Sequence, residues 1–216
     1  MELPNAKIKR DKQVPLGAFN QEKALVGAFS VIVKTDGSLA ARVKVVHRCK
    51  DARESLVLDL SSCTLLHIPE GVLHLMKHYR VVKCNLADNL LAKMSPRFGS
   101  CFSNITSLDL STNSISNLPK DIVLCKNLQF IDISVNSFVV FPYLLLCIEV
   151  LAEIKASKNF IADVDEEAIE SHENLEKINL EGNPLTQDCY TKLGYVSKLK
   201  VILSERKYEE WEDLSI

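Results

Sequence analysis

Few side chains in this 216-residue chain are spaced for chemistry: seven cysteines, two histidines four apart, and one Asn-X-Thr triplet. His74 and His78, in LHLMKH, would share one face of a helical turn as two zinc ligands do, but no third ligand is secured, so a solvated outer segment is expected there. A cysteine nucleophile needs a neighbouring base and an electropositive pocket. Cys189, in TQDCYTK, is the one cysteine outside the apolar frame with polar neighbours, and is the candidate. The odd cysteine count and the lack of a CxxC spacing argue against a disulfide framework and for free thiols, with Cys63, Cys84, Cys101 and Cys125 expected in the core. Asn104-Ile105-Thr106 is a formal glycosylation sequon, but it overlaps the start of an expected strand.

The elements that would position these residues come from a recurring frame. In LQFIDISVNSFVVF, apolar residues at Leu128, Ile131, Ile133, Phe138 and Phe141 surround a single asparagine, Asn136. The same frame recurs upstream as Ile105, Leu108, Leu110, Asn113, Ile115, Leu118, and downstream as Leu151, Ile154, Ala156, Asn159, Ile161, Val164. Extending it gives Ser55, Leu58, Leu60, Cys63, Leu65, Ile68; then Val81, Cys84, Leu86, Asn89, Leu91, Met94; and finally Leu175, Ile178, Leu180, Asn183, Leu185. Successive Asn/Cys positions are 26, 24, 23, 23 and 24 residues apart. Each copy supplies a short strand, a turn and a return segment, too little to bury its own apolar face, so the copies must stack with their strands in one parallel sheet. The column Cys63, Asn89, Asn113, Asn136, Asn159, Asn183 is then a structural ladder, its amides satisfying turn groups that would otherwise be buried unpaired.

Pro69, Pro119 and Pro142 follow the last apolar residue of their copies, as suits an extended entry into the outer segment. The outer segments are about nine residues long, enough for one or two helical turns. Residues 1–37 show no period and form an unassigned basic extension; 38–54 read as a cap helix with Leu39, Val43 and Val46 on one face. Residues 55–185 hold six repeats, and 186–216 a C-terminal cap ending in an acidic tail with Tyr208 and Trp211.

Composition bounds the function. With 47% apolar and 25% charged residues the chain is expected to fold as a soluble protein, and no uncharged apolar run is long enough to cross a membrane. Residues 1–50 carry ten Lys/Arg against four Asp/Glu, so a net charge of -2 leaves the remainder at -8. An acidic body disfavours nucleic-acid binding.

The segments LDLSSCTLLHIP, LDLSTNSISNLP, IDISVNSFVVFP and INLEGNPL resemble those of short intracellular leucine-rich-repeat proteins, over about residues 39 to 203. The resemblance implies an α/β leucine-rich-repeat solenoid with a curved parallel sheet inside and short helical or irregular segments outside. It also implies a non-catalytic binding module. From the residues themselves no cofactor or metal is expected, and the free thiols fit the cytoplasm, with the nucleus left open. Residues alternate in a strand, so the protein-binding candidates on the inner wall are Asp59, Lys83, Asn85, Ser107, Asp109, Ser111, Phe130, Asp132, Ser134, Glu153, Lys155 and Lys177, with Phe130 the expected central anchor. A scaffold acting through its outer face and tail, or a cysteine-dependent enzyme, are the competing readings.

Overall fold

The computed structural model describes residues 39–205. The basic extension and the tail with Tyr208 and Trp211 lie outside the described residues.

One three-residue strand recurs in every copy: β1 (Val57–Asp59), β2 (Lys83–Asn85), β3 (Ser107–Asp109), β4 (Phe130–Asp132), β5 (Glu153–Lys155) and β6 (Lys177–Asn179). A seventh, β7 (Lys200–Ile202), legible in the sequence as a strand-like stretch of the cap, pairs with β6 and extends the sheet. All neighbours are parallel and in strict register, so Leu58, Cys84, Leu108, Ile131, Ile154, Ile178 and Val201 form one row. From Leu58 to Ile178 that row is buried. The strands are short because the chain turns away two residues beyond each, once the second apolar residue (Leu60, Leu86, Leu110, Ile133, Ala156, Leu180) has entered the core. Parallel strands of this length are held by what stacks behind them.

Behind the sheet lie the return segments: α2 (Glu70–Met76), α3 (Phe98–Cys101), the 3-10 turns η1 (Lys120–Leu124) and η2 (Tyr143–Cys147), and α4 (Glu166–Ser171). Pro69, Pro119 and Pro142 stand immediately before α2, η1 and η2 with φ of -61°, -69° and -78°, where a fixed φ and a missing N–H cost nothing. Gly99 in α3 permits close approach to η1: a Cβ there would lie 1.8 Å from the Asp121 carbonyl oxygen.

The first repeat is covered by α1 (Leu39–Ser55). Two expectations are corrected here. The buried face of α1 is Val45, Cys49 and Ala52, whereas Val43 is exposed, so the helix is turned about its axis from the face read in the sequence. That rotation lets Lys44 Nζ reach the Ser62 carbonyl (2.9 Å) and Arg48 the Ser61 carbonyl. Ser55, expected as the first framework position, instead ends the helix in solvent, and the chain enters β1 through Leu56 at φ +61°. At the other end α5 (Gln187–Tyr195) opens with Thr186, whose hydroxyl accepts from the Cys189 N–H at 3.2 Å, and packs Cys189 and Leu193 inward.

A second column runs beside the ladder. Ser62, Asp88, Thr112, Val135, Lys158 and Gly182, each immediately before a ladder residue, all have φ between +50° and +72°. Only the last is glycine; Thr112 and Val135 are β-branched, and their backbones are held against preference.

Candidate functional site

Three rows of side chains look out from the sheet. At the strand starts stand Val57, Lys83, Ser107, Phe130, Glu153, Lys177 and Lys200; at the strand ends Asp59, Asn85, Asp109, Asp132, Lys155, Asn179 and Ile202. The third row, two residues on, runs from Ser61 through Ser111 and Ser134 to Glu181.

The strand-end acids and amides serve the fold first. One oxygen of Asp59 accepts from the N–H (3.0 Å) and hydroxyl (2.7 Å) of Ser61, and Asp109 does the same for Ser111 at 2.9 and 2.7 Å. Asp132 takes the Ser134 N–H at 2.9 Å, and Asn85 and Asn179 take those of Ala87 and Glu181, each at 2.9 Å. Each is a local turn that closes the strand and holds the side chain rigid. Asp59 shows the electrostatic cost and gain together: burial raises its pKa, but the Ser61 hydrogen bonds and the Arg48 and Lys44 charges outweigh it and hold the carboxyl below its usual value.

Lys155 departs from this column and organises the centre of the face. Its ammonium lies 5.0 Å from the centroid of the Phe130 ring and 3.8 Å from Asp132. One strand on, Lys177 bonds Glu153 at 2.7 Å. Phe130 is thus half-buried, with a lysine over its ring, and is not the open aromatic that the alternation of residues suggested. Ser134, expected on the surface, is only 8% exposed, unlike Ser111 at the same place one repeat before. The remaining predicted face residues, Asp59, Lys83, Asn85, Ser107, Asp109, Ser111, Asp132, Glu153, Lys155 and Lys177, are all half-buried or exposed.

The ladder amides link consecutive repeats. Asn89 accepts from the N–H groups of Cys63 (3.0 Å) and Leu65 (2.9 Å) and donates back to the Leu60 carbonyl (2.9 Å), all in the copy before it. Asn159 accepts from Phe138 N–H (3.0 Å) and donates to the Ile133 carbonyl (2.9 Å); Asn183 does so with Ile161 (3.1 Å) and Ala156 (2.9 Å). Cys63 has no preceding copy to reach, and the Arg48 guanidinium occupies that place, 3.4 Å from its sulfur. It bridges to no earlier repeat, but its thiol donates to the Ser61 carbonyl at 3.4 Å, the same bond within its own turn that Asn89 makes to Ala87.

The remaining chemical candidates are placed as follows. Cys189 is 1% exposed, its thiol donating to the Val164 carbonyl at 3.7 Å, and burial raises its pKa; a nucleophile there has neither access nor a thiolate. The polar neighbours seen in the sequence lie on the other side of α5. Conversely Cys147, in an apolar stretch, is exposed, and Cys101 is half-buried where a core position was expected, since both stand at the ends of return segments. His74 and His78 are exposed with ring centroids 6.3 Å apart, and among the described residues no group of three or more His, Cys, Asp or Glu is placed to hold a metal ion. Asn104 is exposed, whereas Ile105 in the same triplet is fully buried. Sequence reasoning missed the exposed Val139, Val140 and Phe160, because apolar residues beside a framework position read as core.

No family model matches the chain. Over 137 residues it is 32% identical to Tsukushi of Gallus gallus, a match covering 60% of this chain and 36% of Tsukushi, so the chain spans about a third of that relative. A leucine-rich-repeat protein of Leptospira interrogans superposes with a TM-score of 0.55 at 22% identity, over 69% of this chain and 38% of that one. The leucine-rich repeat domain of the type III effector XopL does so with a TM-score of 0.61 at 16% identity, over 87% and 68%. No helix among the described residues is long and apolar enough to cross a membrane. A sheet that climbs by one short parallel strand per repeat, shared with these structures, makes the fold a leucine-rich-repeat solenoid.

Proposed function

We propose that this chain is a non-catalytic protein-interaction module whose concave sheet face grips a protein partner. The observation that carries the reading is the cluster at mid-array: the Phe130 ring, the Lys155 ammonium over it and the Asp132 carboxylate, with Asp109 beside them. An aromatic held in place and rimmed by charge loses little freedom on binding, and such groups carry most of the energy of protein interfaces. The second oxygens of Asp59 and Asp109, left over from the Ser61 and Ser111 turns, present acceptors whose orientation is fixed before contact. These features suit a partner segment with basic and apolar side chains.

The reading contains no catalytic step, in keeping with the burial of Cys189, and the acidic surface fits a protein partner better than a nucleic acid. We place the protein in the cytoplasm: its seven cysteines are all free thiols, as a reducing compartment maintains them.

The test is a partner captured from cells, identified, and titrated against two variants. Phe130→Ala should weaken binding by about 2 kcal/mol, and Asp109→Lys should act mainly on association rate and salt dependence. Unchanged affinity in both, with unaltered circular dichroism, moves the binding site off this face.

A further inference from the structure

Away from the sheet, the fourth repeat breaks the pattern of its neighbours. Val139 and Val140 are 63% and 69% exposed, at places where the repeat before has Ser116 and Asn117 and the repeat after has Ala162 and Asp163. Beside them runs a groove of about 430 Å³ whose walls include Leu118, Phe138, Phe141, Tyr143 and the exposed Cys147. One repeat on, Phe160 is 59% exposed, its N–H bonded to the Phe138 carbonyl at 2.8 Å. Large apolar side chains left in water at adjoining positions mark a surface that a partner covers.

The charge at one end of the groove says what kind. The Tyr143 hydroxyl accepts from the Asp165 N–H at 2.8 Å, so the groove abuts the start of α4, where Asp165, Glu166 and Glu167 follow one another. Asp163 continues the row of Val140 into the next repeat. Asp163, Asp165 and Glu167 are exposed. Of these acids only Glu166 pairs with Lys192, at 3.8 Å, and that lysine is bonded more closely to Asp188, at 2.9 Å.

We propose that this groove is a second docking surface, for an amphipathic segment of a partner protein whose apolar residues lie along Val140 and Tyr143 and whose basic residues meet the acids at the start of α4. A helix laid into an apolar groove, with one charged flank, is a recurring mode of recognition. The surface is separate from the concave face, so the two stand or fall independently.

Cys147 supplies the readout, since an occupant of the groove covers its thiol. The probe is a short amphipathic peptide of leucine and lysine, compared with a leucine–glutamate peptide of the same pattern, against the full chain. At ten times its dissociation constant the lysine peptide should slow maleimide labelling of Cys147 about tenfold, as only the free fraction reacts. The glutamate peptide should not, and Val140→Glu or Asp163→Lys, both at exposed positions, should abolish the protection. Equal protection by both peptides, protection surviving Val140→Glu, or no protection overturns the proposal. Labelling that slows with rising protein concentration alone assigns the groove to a second copy of this chain, and overturns it equally.

Discussion

The Asn136 side-chain amide donates to the Leu110 carbonyl of the preceding repeat at 2.9 Å, while its oxygen accepts from the N–H of Ile115 in that same repeat at 2.9 Å. One side chain therefore ties two points of its neighbour and also closes its own turn, through Ile133 (3.1 Å) and Ser134 (3.2 Å). Asn136→Ala leaves these buried groups without a partner and should cost about 1 to 3 kcal/mol. Asn113→Ala should fall at the lower end, because Asn113 is half-buried. Thermal melts of the two variants check both; a wild-type melting temperature for Asn136→Ala would contradict the bonding described.

Val135, beside that asparagine, has φ +55°, a conformation that asparagine and glycine adopt readily and a β-branched residue does not. Val135 is 42% exposed, so only part of its packing is lost on replacement. Val135→Asn should stabilise the fold by about 1 kcal/mol. Gly182→Ala in the same column should destabilise it, as its Cβ would meet Lys158 Cγ at 3.0 Å with φ at +72°. Equal and opposite shifts are not required; a fall in stability for Val135→Asn would refute the strain argument.

How much of this was legible beforehand depends on the distance over which each signal acts. The framework residues and the asparagine column repeat at a fixed interval, so the sheet, its parallel order and the buried row could be read directly. The positive-φ column could not, because Ser62, Asp88, Thr112, Val135 and Lys158 share a backbone angle but no side-chain type. The asparagines were read as satisfying turns; that they reach backwards into the preceding repeat is a property of stacking, absent from any single copy. Likewise nothing local places Lys155 over Phe130, since they are 25 residues apart and meet only because β4 and β5 pair. The face of α1 was misread because Val43 and Val45 lie two residues apart on a helix with apolar residues on several sides, and only the reach of Arg48 and Lys44 toward the first repeat decides between them.

Thiol reactivity should follow exposure. Cys147 should label first and Cys101 next, whereas Cys49, Cys84 and Cys125 should resist, being buried. Burial also pushes the Cys49 and Cys125 thiols up to about 12 and that of Cys84 still higher, so raising the pH to 9 should leave them protonated. All seven should label after unfolding without reductant. Timed alkylation read by mass spectrometry gives the order; early labelling of Cys189 would contradict its place on the inward face of α5.

Asp59 carries a pH signature. Its pKa is depressed in the folded chain, so its contribution is present above the ordinary carboxylate value and is lost as the pH falls through the lower native one. Asp59→Asn keeps an acceptor for the Ser61 N–H, as Asn85 and Asn179 do in their own repeats, but cannot titrate. Wild type should therefore hold its advantage near neutrality and lose it below about pH 4. Parallel melting curves for the two proteins across that range would contradict the assignment.

Arg48 tests whether the array is held end by end. Its guanidinium bonds the Ser61 carbonyl, lies 3.4 Å from Cys63 sulfur and 3.6 Å from Asp59, and so substitutes for the repeat that the first copy lacks. In a solenoid each copy touches only its neighbours, and losing this residue should loosen one end without softening the middle. Arg48→Ala should cost about 1 to 2 kcal/mol locally, the low end for a charged hydrogen bond because the side chain is partly exposed. Amides of α1 and β1 should then exchange roughly tenfold faster, a factor that corresponds to about 1.4 kcal/mol. Amides of β5 and β6 should keep their wild-type rates. Arg48→Lys should recover only part of the loss, because one ammonium cannot span Ser61, Cys63 and Asp59 as a planar fork does. Uniform acceleration across all seven strands would mean that the array opens as a single unit, and that Arg48 is no special fastening of its first repeat.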